Sequence, residues 1–523
     1  MPKSLRKSYL LTALILIGLG WASSQAKAQF VNIGTNTYSN GTLGALFPTA
    51  SRSGATQTID GVIAGGGTVS ISSATVTLSG LNTYTGSTRI SGGTLNVTST
   101  NLPAAGGVIF SGTGGTLNFN QAANGTYAGA ISQTATTSPG VLNKTGAGTL
   151  TLSGANSHAG GTNVTGGTLT LGLANTLGTG SLSVTTGTLS LGTFSASIGA
   201  VTLHSGSILG GGGVLTGTSF SVESGTVSAV LAGAGALVKT TTGVVTLSGV
   251  NTYAGGTTIS AGTLAIGSSA QLGTASSGLT LNGGTLFNLT TSTTLARTIT
   301  VSANNGGLDN GGTGKTLDLT GGSLAGATGA TLTLSGAGTT KLAATALGSS
   351  LAVAITAGTV QLSVSGTTSV ISNNFAINSS TLSLNTSTLA SNVTLAGVIT
   401  GNGTITFSGT GTLTLSGGNN TFTGTLAVPS GTLTGDTGSI HGNIVSTGTV
   451  AFNQAADGTF SGSLTGGGVL VKTGAGALTL ANTTGSPLDL RAGSVFLGTP
   501  GGATGGTGTA TIAAGALLGG NGT

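Results

Sequence analysis

"VTLSGLNTYTGSTRISGGTLNV", residues Val76–Val97, contains short alternating runs of apolar and polar residues separated by Gly, Asn and Ser. The runs Thr75–Leu78, Thr88–Ile90 and Thr94–Val97 have the composition and the period of two that are typical of strands. Gly, Asn and Ser favour the turns between such runs. The stretch therefore predicts several short strands joined by turns.

Related phrases recur along the chain, and this internal repetition is the strongest signal in the sequence. Four copies share the letters Leu-Ser-Gly: "LSGLNTYTGST" ending at Thr88, "LSGANSHAGGT" at Thr162, "LSGVNTYAGGT" at Thr257 and "LSGGNNTFTGT" at Thr425. A second phrase, "GVLNKTGAGTLTLSG" from Gly140, has relatives from Gly235 and Gly468, which places three lysines at one repeat position: Lys144, Lys239 and Lys472. A third pair begins at Phe119 and Phe452.

Repeated strand units that cannot bury their apolar faces alone predict a solenoid. Gly makes up 100 of the 523 residues, and each Gly inside a helix would cost about 1 kcal/mol relative to Ala. After residue 28 no stretch shows a sustained helical period. We therefore predict an all-β fold, a parallel β-helix of roughly twenty short coils with about 20 to 25 residues each. Inward Val, Leu and Ile form its core, and outward Thr and Ser face the solvent.

The first residues have the features of a secretory signal peptide. "MPKSLRKSYL" carries basic residues, an apolar run follows from Leu10 to Trp21, and Ala26 and Ala28 occupy the small positions of a cleavage site. A membrane anchor is the alternative, but the run is shorter than the ~20 residues that span a bilayer. We predict a signal peptide at 1–28 and a β-helical passenger at 29–523. Cleavage of the signal peptide removes four basic residues. The mature chain is therefore nearly neutral, and no nucleic-acid partner is expected.

"GAGTLTLSGANSHAGGTNVTGGTLTLG", Gly146–Gly172, resembles the autotransporter-associated β-strand repeat, also called the passenger-associated transport repeat. The copies at Val76, Val245 and Leu413 resemble it as well. The resemblance implies a right-handed β-helical passenger of a type V secretion system in a Gram-negative bacterium. It also implies export by the general secretory pathway, an outer-membrane β-barrel translocator, and repeats that assist transport and folding.

This resemblance predicts that the protein is at the cell surface, associated with the outer membrane, or extracellular. The sequence ends at Thr523 within a repeat-like phrase, "IAAGALLGGNGT", and no barrel pattern is present in it. We expect the passenger 29–523 to be incomplete at its C-terminus and the reading frame to continue into a barrel. A separate translocator or another display route is the alternative.

Side chains of the types that act in catalysis or bind metals are few in this sequence, and they are far apart. Without Cys there are no disulfides and no thiolate metal sites. His158 occupies the place of Tyr84 and Tyr253 in sister repeats, which favours a structural role, and His204 and His441 lie in turn-like contexts. The seven acidic residues are separated from one another: Asp60, Glu223, Asp309, Asp318, Asp436, Asp457 and Asp489. We predict no catalytic, cofactor-binding or metal-binding residue and no cofactor.

Two further patterns have binding interpretations. "DNGGTGKT", Asp309–Thr316, resembles a phosphate-binding loop but has Asp309 where the first Gly is required. Lys144, Lys239 and Lys472 could form a spaced basic row for an acidic glycan, although equivalent turn positions explain them without a ligand, and we favour that explanation.

The functional hypothesis is a non-catalytic structural or adhesive passenger, with surface glycans or self-association as the expected partners. The alternative is a β-helical enzyme that acts on extracellular polysaccharide. Such an enzyme needs a charged cleft on one face, and a chain with 4% charged residues can scarcely build one.

Overall fold

The computed structural model describes residues 30–32, 43–44, 56–134, 139–386, 390–482, 485–498 and 509–520. They fall into two compact units, Met1–Gly180 and Ser181–Thr523. The predicted signal peptide, residues 1–28, lies outside the described residues. The described residues form a parallel β-solenoid of about 22 turns, which confirms the predicted fold class. They contain no α-helix, and two short 3-10 helices span Ser269–Leu272 and Ala344–Ala346.

The strands of the first unit are short and follow one another closely. They are β1 Phe30–Asn32, β2 Leu43–Gly44, β3 Thr56–Ile59, β4 Ile63–Ala64, β5 Thr68–Ile71, β6 Thr75–Leu78, β7 Thr88–Ile90, β8 Thr94–Val97, β9 Val108–Phe110, β10 Thr116–Asn120, β11 Gly125–Tyr127, β12 Ile131–Gln133, β13 Val141–Thr145, β14 Thr149–Leu152, β15 Thr162–Val164 and β16 Thr168–Leu171. The three runs that the sequence predicted are β6, β7 and β8. Within this unit the order of hydrogen-bonded strands is β1-β5-β7-β9-β12, β3-β6-β8-β10-β13-β15, β11-β14-β16 and β2-β4.

The second unit continues the same pattern of short strands. They are β17 Leu182–Val184, β18 Thr188–Ser190, β19 Ala196–Ser197, β20 Ala200–Leu203, β21 Ser207–Leu209, β22 Val214–Thr216, β23 Ser219–Val222, β24 Gly225–Val227, β25 Val230–Ala232, β26 Leu237–Lys239, β27 Val244–Leu247, β28 Thr257–Ile259, β29 Thr263–Ile266, β30 Leu279–Leu281, β31 Thr285–Asn288, β32 Ser292–Thr294, β33 Thr298–Val301, β34 Gly306–Asp309, β35 Thr316–Asp318, β36 Ser323–Gly326, β37 Thr331–Ser335, β38 Thr339–Ala343, β39 Ala352–Ile355, β40 Thr359–Val364, β41 Thr368–Ile371, β42 Phe375–Ile377, β43 Thr381–Thr386, β44 Asn392–Leu395, β45 Ile399–Gly401, β46 Thr404–Phe407, β47 Thr412–Leu415, β48 Thr425–Val428, β49 Thr432–Gly435, β50 Asn443–Ser446, β51 Thr449–Asn453, β52 Gly458–Phe460, β53 Leu464–Thr465, β54 Val469–Thr473, β55 Ala477–Leu480, β56 Leu488–Leu490, β57 Ser494–Leu497, β58 Ala510–Ile512 and β59 Leu517–Gly520.

The sheets of the second unit stack strands from successive coils. Their orders within the unit are β17-β20-β23-β26-β28-β30-β33-β36, β18-β21-β24-β27-β29-β31-β34-β37-β39-β42-β45, β19-β22-β25, β32-β35-β38-β40-β43-β46-β48-β50-β53, β41-β44-β47-β49-β51-β54-β56-β58 and β52-β55-β57-β59. In the first unit, hydrogen bonds between neighbouring coils join residues that are 19, 22 and 25 positions apart in the sequence. These separations agree with the predicted coil length of about 20 to 25 residues.

Inward side chains form apolar columns that run from coil to coil. In the first unit Val76, Leu95, Leu117 and Leu142 face one another in register on consecutive strands, and all four are fully buried. Each such side chain contributes about 1.5–3 kcal/mol by leaving water. Alternation along each strand turns the intervening Thr, Ser and Asn outward. No helix in the described part of the chain has the length and apolar character needed to cross a membrane.

Many coils have three strands, one on each side. In the first unit β12, β13 and β14 lie in register on β9, β10 and β11. In the second unit β23, β24 and β25 lie on β20, β21 and β22 in the same way. A three-sided coil therefore adds one strand to each of three parallel sheets.

Candidate functional site: the repeated loop and its buried polar groups

The repeated Leu-Ser-Gly phrases interrupt the three-sided pattern. After β14, loop residues 153–161 take the place of a third strand, and the chain returns to β15 and β16, which pair with β13 and β14. In consequence β12 is the last strand of its sheet. The same replacement follows β6, β27 and β47, and there β4, β25 and β45 are the last strands of their sheets. Each repeated loop therefore covers the edge at which one sheet ends.

One buried asparagine in each loop occupies the position of a peptide group in the ladder. Its side-chain oxygen accepts a hydrogen bond from a backbone N–H of the last strand, in the pairs Asn82–Ile63 at 2.8 Å, Asn156–Ile131 at 2.8 Å, Asn251–Leu231 at 2.8 Å and Asn420–Ile399 at 2.7 Å. The N–H of the residue after the asparagine donates to the carbonyl of that same strand residue, for example Thr252 to Leu231 at 2.8 Å. Both backbone groups of the edge residue are thus satisfied.

The same asparagine also contacts the following coil. Its side-chain nitrogen donates to a backbone carbonyl there, in the pairs Asn82–Asn101 at 2.7 Å, Asn156–Thr176 at 2.7 Å, Asn251–Gln271 at 2.6 Å and Asn420–Ser439 at 2.7 Å. One amide therefore joins three successive coils. We call this arrangement the asparagine clamp.

Sequence reasoning missed the clamp, because it assigned the asparagines to turns. The signal was present, since an Asn follows Leu-Ser-Gly in all four quoted copies. In the fourth copy an alignment without gaps selects Asn419, but the structure places Asn420 in the clamp. Asn419 instead has a φ of 62°, a left-handed conformation that Asn tolerates better than most residues.

An aromatic residue of the loop packs beside a buried threonine of the next strand. Tyr84 Oη lies 2.7 Å from Thr88 Oγ1, and Tyr253 Oη lies 2.6 Å from Thr257 Oγ1. In the second copy His158 Nε2 lies 3.1 Å from Thr162 Oγ1. These pairs confirm that His158 takes the place of the tyrosines.

The environment of His158 is unsuited to proton transfer with a solvent-borne substrate. The side chain is fully buried, and burial lowers the pKa of His158 to about 4. Its neutral form is therefore the stable one at neutral pH. Burial likewise raises the pKa of Tyr84 to about 12.

The three repeated lysines are core residues. Lys144, Lys239 and Lys472 are fully buried, and they lie on β13, β26 and β54. Lys144 Nζ donates to the carbonyls of Thr145 at 2.8 Å, Gly146 at 2.8 Å and Gly166 at 2.9 Å.

The other two lysines repeat this arrangement. Lys472 Nζ donates to the carbonyls of Thr473 at 2.7 Å, Gly474 at 2.8 Å and Ala492 at 3.3 Å. Lys239 Nζ donates to Thr241 and, at 3.3 Å, to Ala261. Burial lowers the pKa of all three lysines, and that of Lys144 to about 8.

The structure contradicts the basic row and agrees with the favoured explanation without a ligand, although it places the lysines on strands and not in turns. A basic row for an acidic glycan needs exposed ammonium groups, and these groups are enclosed by backbone carbonyls. The lysines also lie on strands, and only the Nζ atoms reach the turns. Sequence spacing identified their equivalence but not the direction of their side chains, which depends on the pleat of the strand.

The two phrases that begin at Phe119 and Phe452 also form matching structures. The ring centroids of Phe119 and Tyr127 are 5.2 Å apart, and those of Phe452 and Phe460 are also 5.2 Å apart. Phe119 faces Lys144 in register on the neighbouring strand, and Phe452 faces Lys472. An aromatic layer therefore precedes two of the buried lysines.

The phosphate-loop resemblance does not lead to an anion site. Lys315 Nζ donates to the carbonyls of Asn288 at 3.2 Å and Leu289 at 2.8 Å. Asp309 accepts a hydrogen bond from the N–H of Gly311 at 2.8 Å. The cation is thus held by the preceding coil, and a carboxylate occupies the loop.

The remaining ionisable groups are dispersed. His204 Nδ1 lies 3.0 Å from Glu223 Oε1 on the surface, and Arg491 pairs with Asp489 at 2.8 Å. Within the described ranges no three residues among His, Cys, Asp and Glu are grouped so that they could hold a metal ion.

Comparison with protein families identifies the repeated unit. The passenger-associated-transport-repeat model matches residues 64–97, 142–171, 237–266, 405–434 and 470–495. The first four segments contain the clamp asparagines Asn82, Asn156, Asn251 and Asn420, and the fifth contains Lys472. No curated protein and no solved structure shows significant similarity to the chain.

Proposed function

The chain carries the passenger-associated transport repeat at five places, and from this we propose that it is an exported, non-catalytic passenger with a structural and adhesive role at the surface of a Gram-negative bacterium. A parallel β-solenoid with these repeats fits an autotransporter passenger. The general secretory pathway and an outer-membrane translocator are the partners that this proposal requires for export.

A long uncharged column on the outer face of the second unit supports the adhesive role. Six threonines face one another in register on consecutive strands: Thr316, Thr339, Thr359, Thr381, Thr404 and Thr425. All six are partly exposed. Evenly spaced hydroxyl groups suit many weak hydrogen bonds to a neutral, hydroxyl-rich polymer, and their effects accumulate when the polymer contacts several at once. We propose a neutral surface glycan as the ligand.

A binding measurement tests this proposal with the purified chain on surfaces coated with neutral polysaccharides. The variant Thr339→Val/Thr359→Val/Thr381→Val removes three hydroxyl groups and keeps the branched shape that strands favour. The control Thr412→Val/Thr432→Val/Thr449→Val makes the same change in a column on the neighbouring sheet. We expect only the first variant to lose adhesion. Absence of binding by the unmodified chain contradicts the adhesive role.

The same samples test the other parts of the proposal. Release of reducing ends or unsaturated sugars from a polysaccharide indicates an enzyme and contradicts the non-catalytic role. Light scattering also gives the apparent molar mass of the chain. An apparent molar mass that rises with protein concentration indicates that the column binds a second copy of the chain instead of a glycan. For export, we expect N-terminal sequencing of the secreted protein to begin at Gln29 or within a few residues of it. A secreted protein that retains Met1 contradicts the signal peptide.

A further inference from the structure

Charge is not required at the position of the buried lysines. In the fourth repeat Phe407 stands ten residues before Gly417, as Lys144 stands before Gly154. In the first repeat the corresponding residue is Ile71 on β5, which faces Ile90 on β7 in register as Lys144 faces Val164 on β15. Phe407 and Ile71 are both fully buried. The coil therefore packs well around an apolar residue, and the three lysines must provide something other than volume.

Each lysine donates hydrogen bonds within its own turn and to the following coil, towards the C-terminus. Lys144 Nζ donates to two carbonyls in its own turn and to a third, that of Gly166, which is 22 residues further on in the next coil. Lys472 reaches Ala492, 20 residues further on, in the same way. The ammonium group is therefore enclosed only after the following coil has been added.

A partly folded solenoid has an open edge at each stage. Unpaired N–H and C=O groups at such an edge favour pairing with another chain, and inward-pointing charges are one of the features that oppose this pairing. A correctly aligned next coil brings a carbonyl to the ammonium. A foreign or misaligned strand does not, and it would bury the ammonium group with its third acceptor missing.

We propose that Lys144, Lys239 and Lys472 protect the open edge of the folding solenoid, because only the next coil in its native alignment supplies the carbonyl that completes the enclosure of the ammonium group. The lysines thus select against intermolecular pairing during coil-by-coil folding. This inference depends on the geometry of the coils and stands apart from the proposed adhesive role.

The test compares refolding of the full chain with that of the variant Lys144→Met/Lys239→Met/Lys472→Met. Both are unfolded in urea and diluted at several protein concentrations, and soluble monomer is measured by size-exclusion chromatography with light scattering. We expect the variant to give native circular dichroism at the lowest concentration. At higher concentrations we expect its yield of soluble monomer to be several-fold below that of the unmodified chain.

A matched control is Arg89→Met/Lys341→Met/Arg491→Met, which removes three positive charges from the outer face. We expect this control to refold like the unmodified chain. Equal yields from the buried-lysine variant at every concentration overturn the proposal, as does an equal loss from the outer-face control. A loss that is independent of protein concentration, or failure to fold even at the lowest concentration, shows a purely structural role and also overturns it.

Discussion

At the scale of single residues, the side-chain amide of the clamp asparagine forms the hydrogen bonds that a backbone peptide group would form in a longer sheet. A strand at the end of a sheet leaves a buried N–H and C=O that need partners. The side chain of Asn251 and the N–H of Thr252 supply them for Leu231. All four repeats have Asn at the clamp position, and neither Gln nor Ser occurs there. The side-chain amide of Asn provides both a hydrogen-bond acceptor and a donor within reach of the neighbouring coils.

Replacement of Asn251 by Ala is expected to destabilise the repeat. It leaves the buried Leu231 N–H and the half-buried Gln271 carbonyl without this partner, and a buried unpaired group costs about 1–3 kcal/mol. We expect faster hydrogen exchange of the Leu231 amide and an earlier urea transition. The control is Asn163→Ala, which removes an outward amide bonded to Asn143 at 2.9 Å. Unchanged exchange at Leu231 in Asn251→Ala contradicts the clamp.

The buried imidazole of His158 predicts acid sensitivity. Its folded pKa of about 4 is below the unfolded value of about 6.5, so the unfolded chain binds the extra proton more tightly. The stability contribution is complete above pH 6.5 and is lost as the pH falls to about 4, with a total of about 3 kcal/mol. We expect His158→Tyr, the residue type of the sister repeats, to lose less stability over this range in urea titrations of the first unit. The same pH dependence in both proteins would assign the effect to other groups.

At the scale of the structural element, the repeated loop covers the last strand of a sheet. It carries no regular strand, yet its clamp, its aromatic–threonine pair and its close backbone contacts continue the stack. The first glycine of the loop is required for this approach. A Cβ on Gly417 would lie 2.2 Å from the carbonyl oxygen of Gly397, whereas a Cβ on Gly418 would have no neighbour within 4 Å.

These two adjacent glycines provide a matched pair of substitutions. Gly417→Ala forces the loop away from the preceding coil, and overpacking of this kind costs about 1–3 kcal/mol. We expect a lower thermal transition and faster exchange at Ile399, whose N–H is held by Asn420. Gly418→Ala should leave both measurements unchanged. Equal effects of the two substitutions would show that the close approach is not what requires glycine.

At the scale of the whole molecule, each coil contacts its neighbours, so stability is a sum of local terms. Leu382 is fully buried and faces Val360 and Ile405 in register on the adjacent strands. Leu382→Ala leaves a cavity that costs about 2–5 kcal/mol. We expect lower protection from hydrogen exchange in β40, β43 and β46, and unchanged protection in β20 and β23. A uniform loss over the whole chain would indicate all-or-none unfolding.

The sequence by itself determined the class of fold and the identity of the repeated unit. Period-two runs such as Thr94–Val97 form strands because alternate side chains must be buried, and this local requirement is visible in the residues. The equivalence of His158 with Tyr84 and Tyr253 was also visible, because repetition preserves the position of a side chain in its coil.

Only the tertiary structure decided what the polar residues of the repeats do. Asn251 and Lys144 are ordinary turn or surface residues by composition, and their roles depend on backbone groups about 20 residues away in neighbouring coils. The pairing of coils selects those partners. Because a buried amide or ammonium is stable only where stacked coils bring backbone groups to it, the clamp and the enclosed lysines exist only in the assembled solenoid.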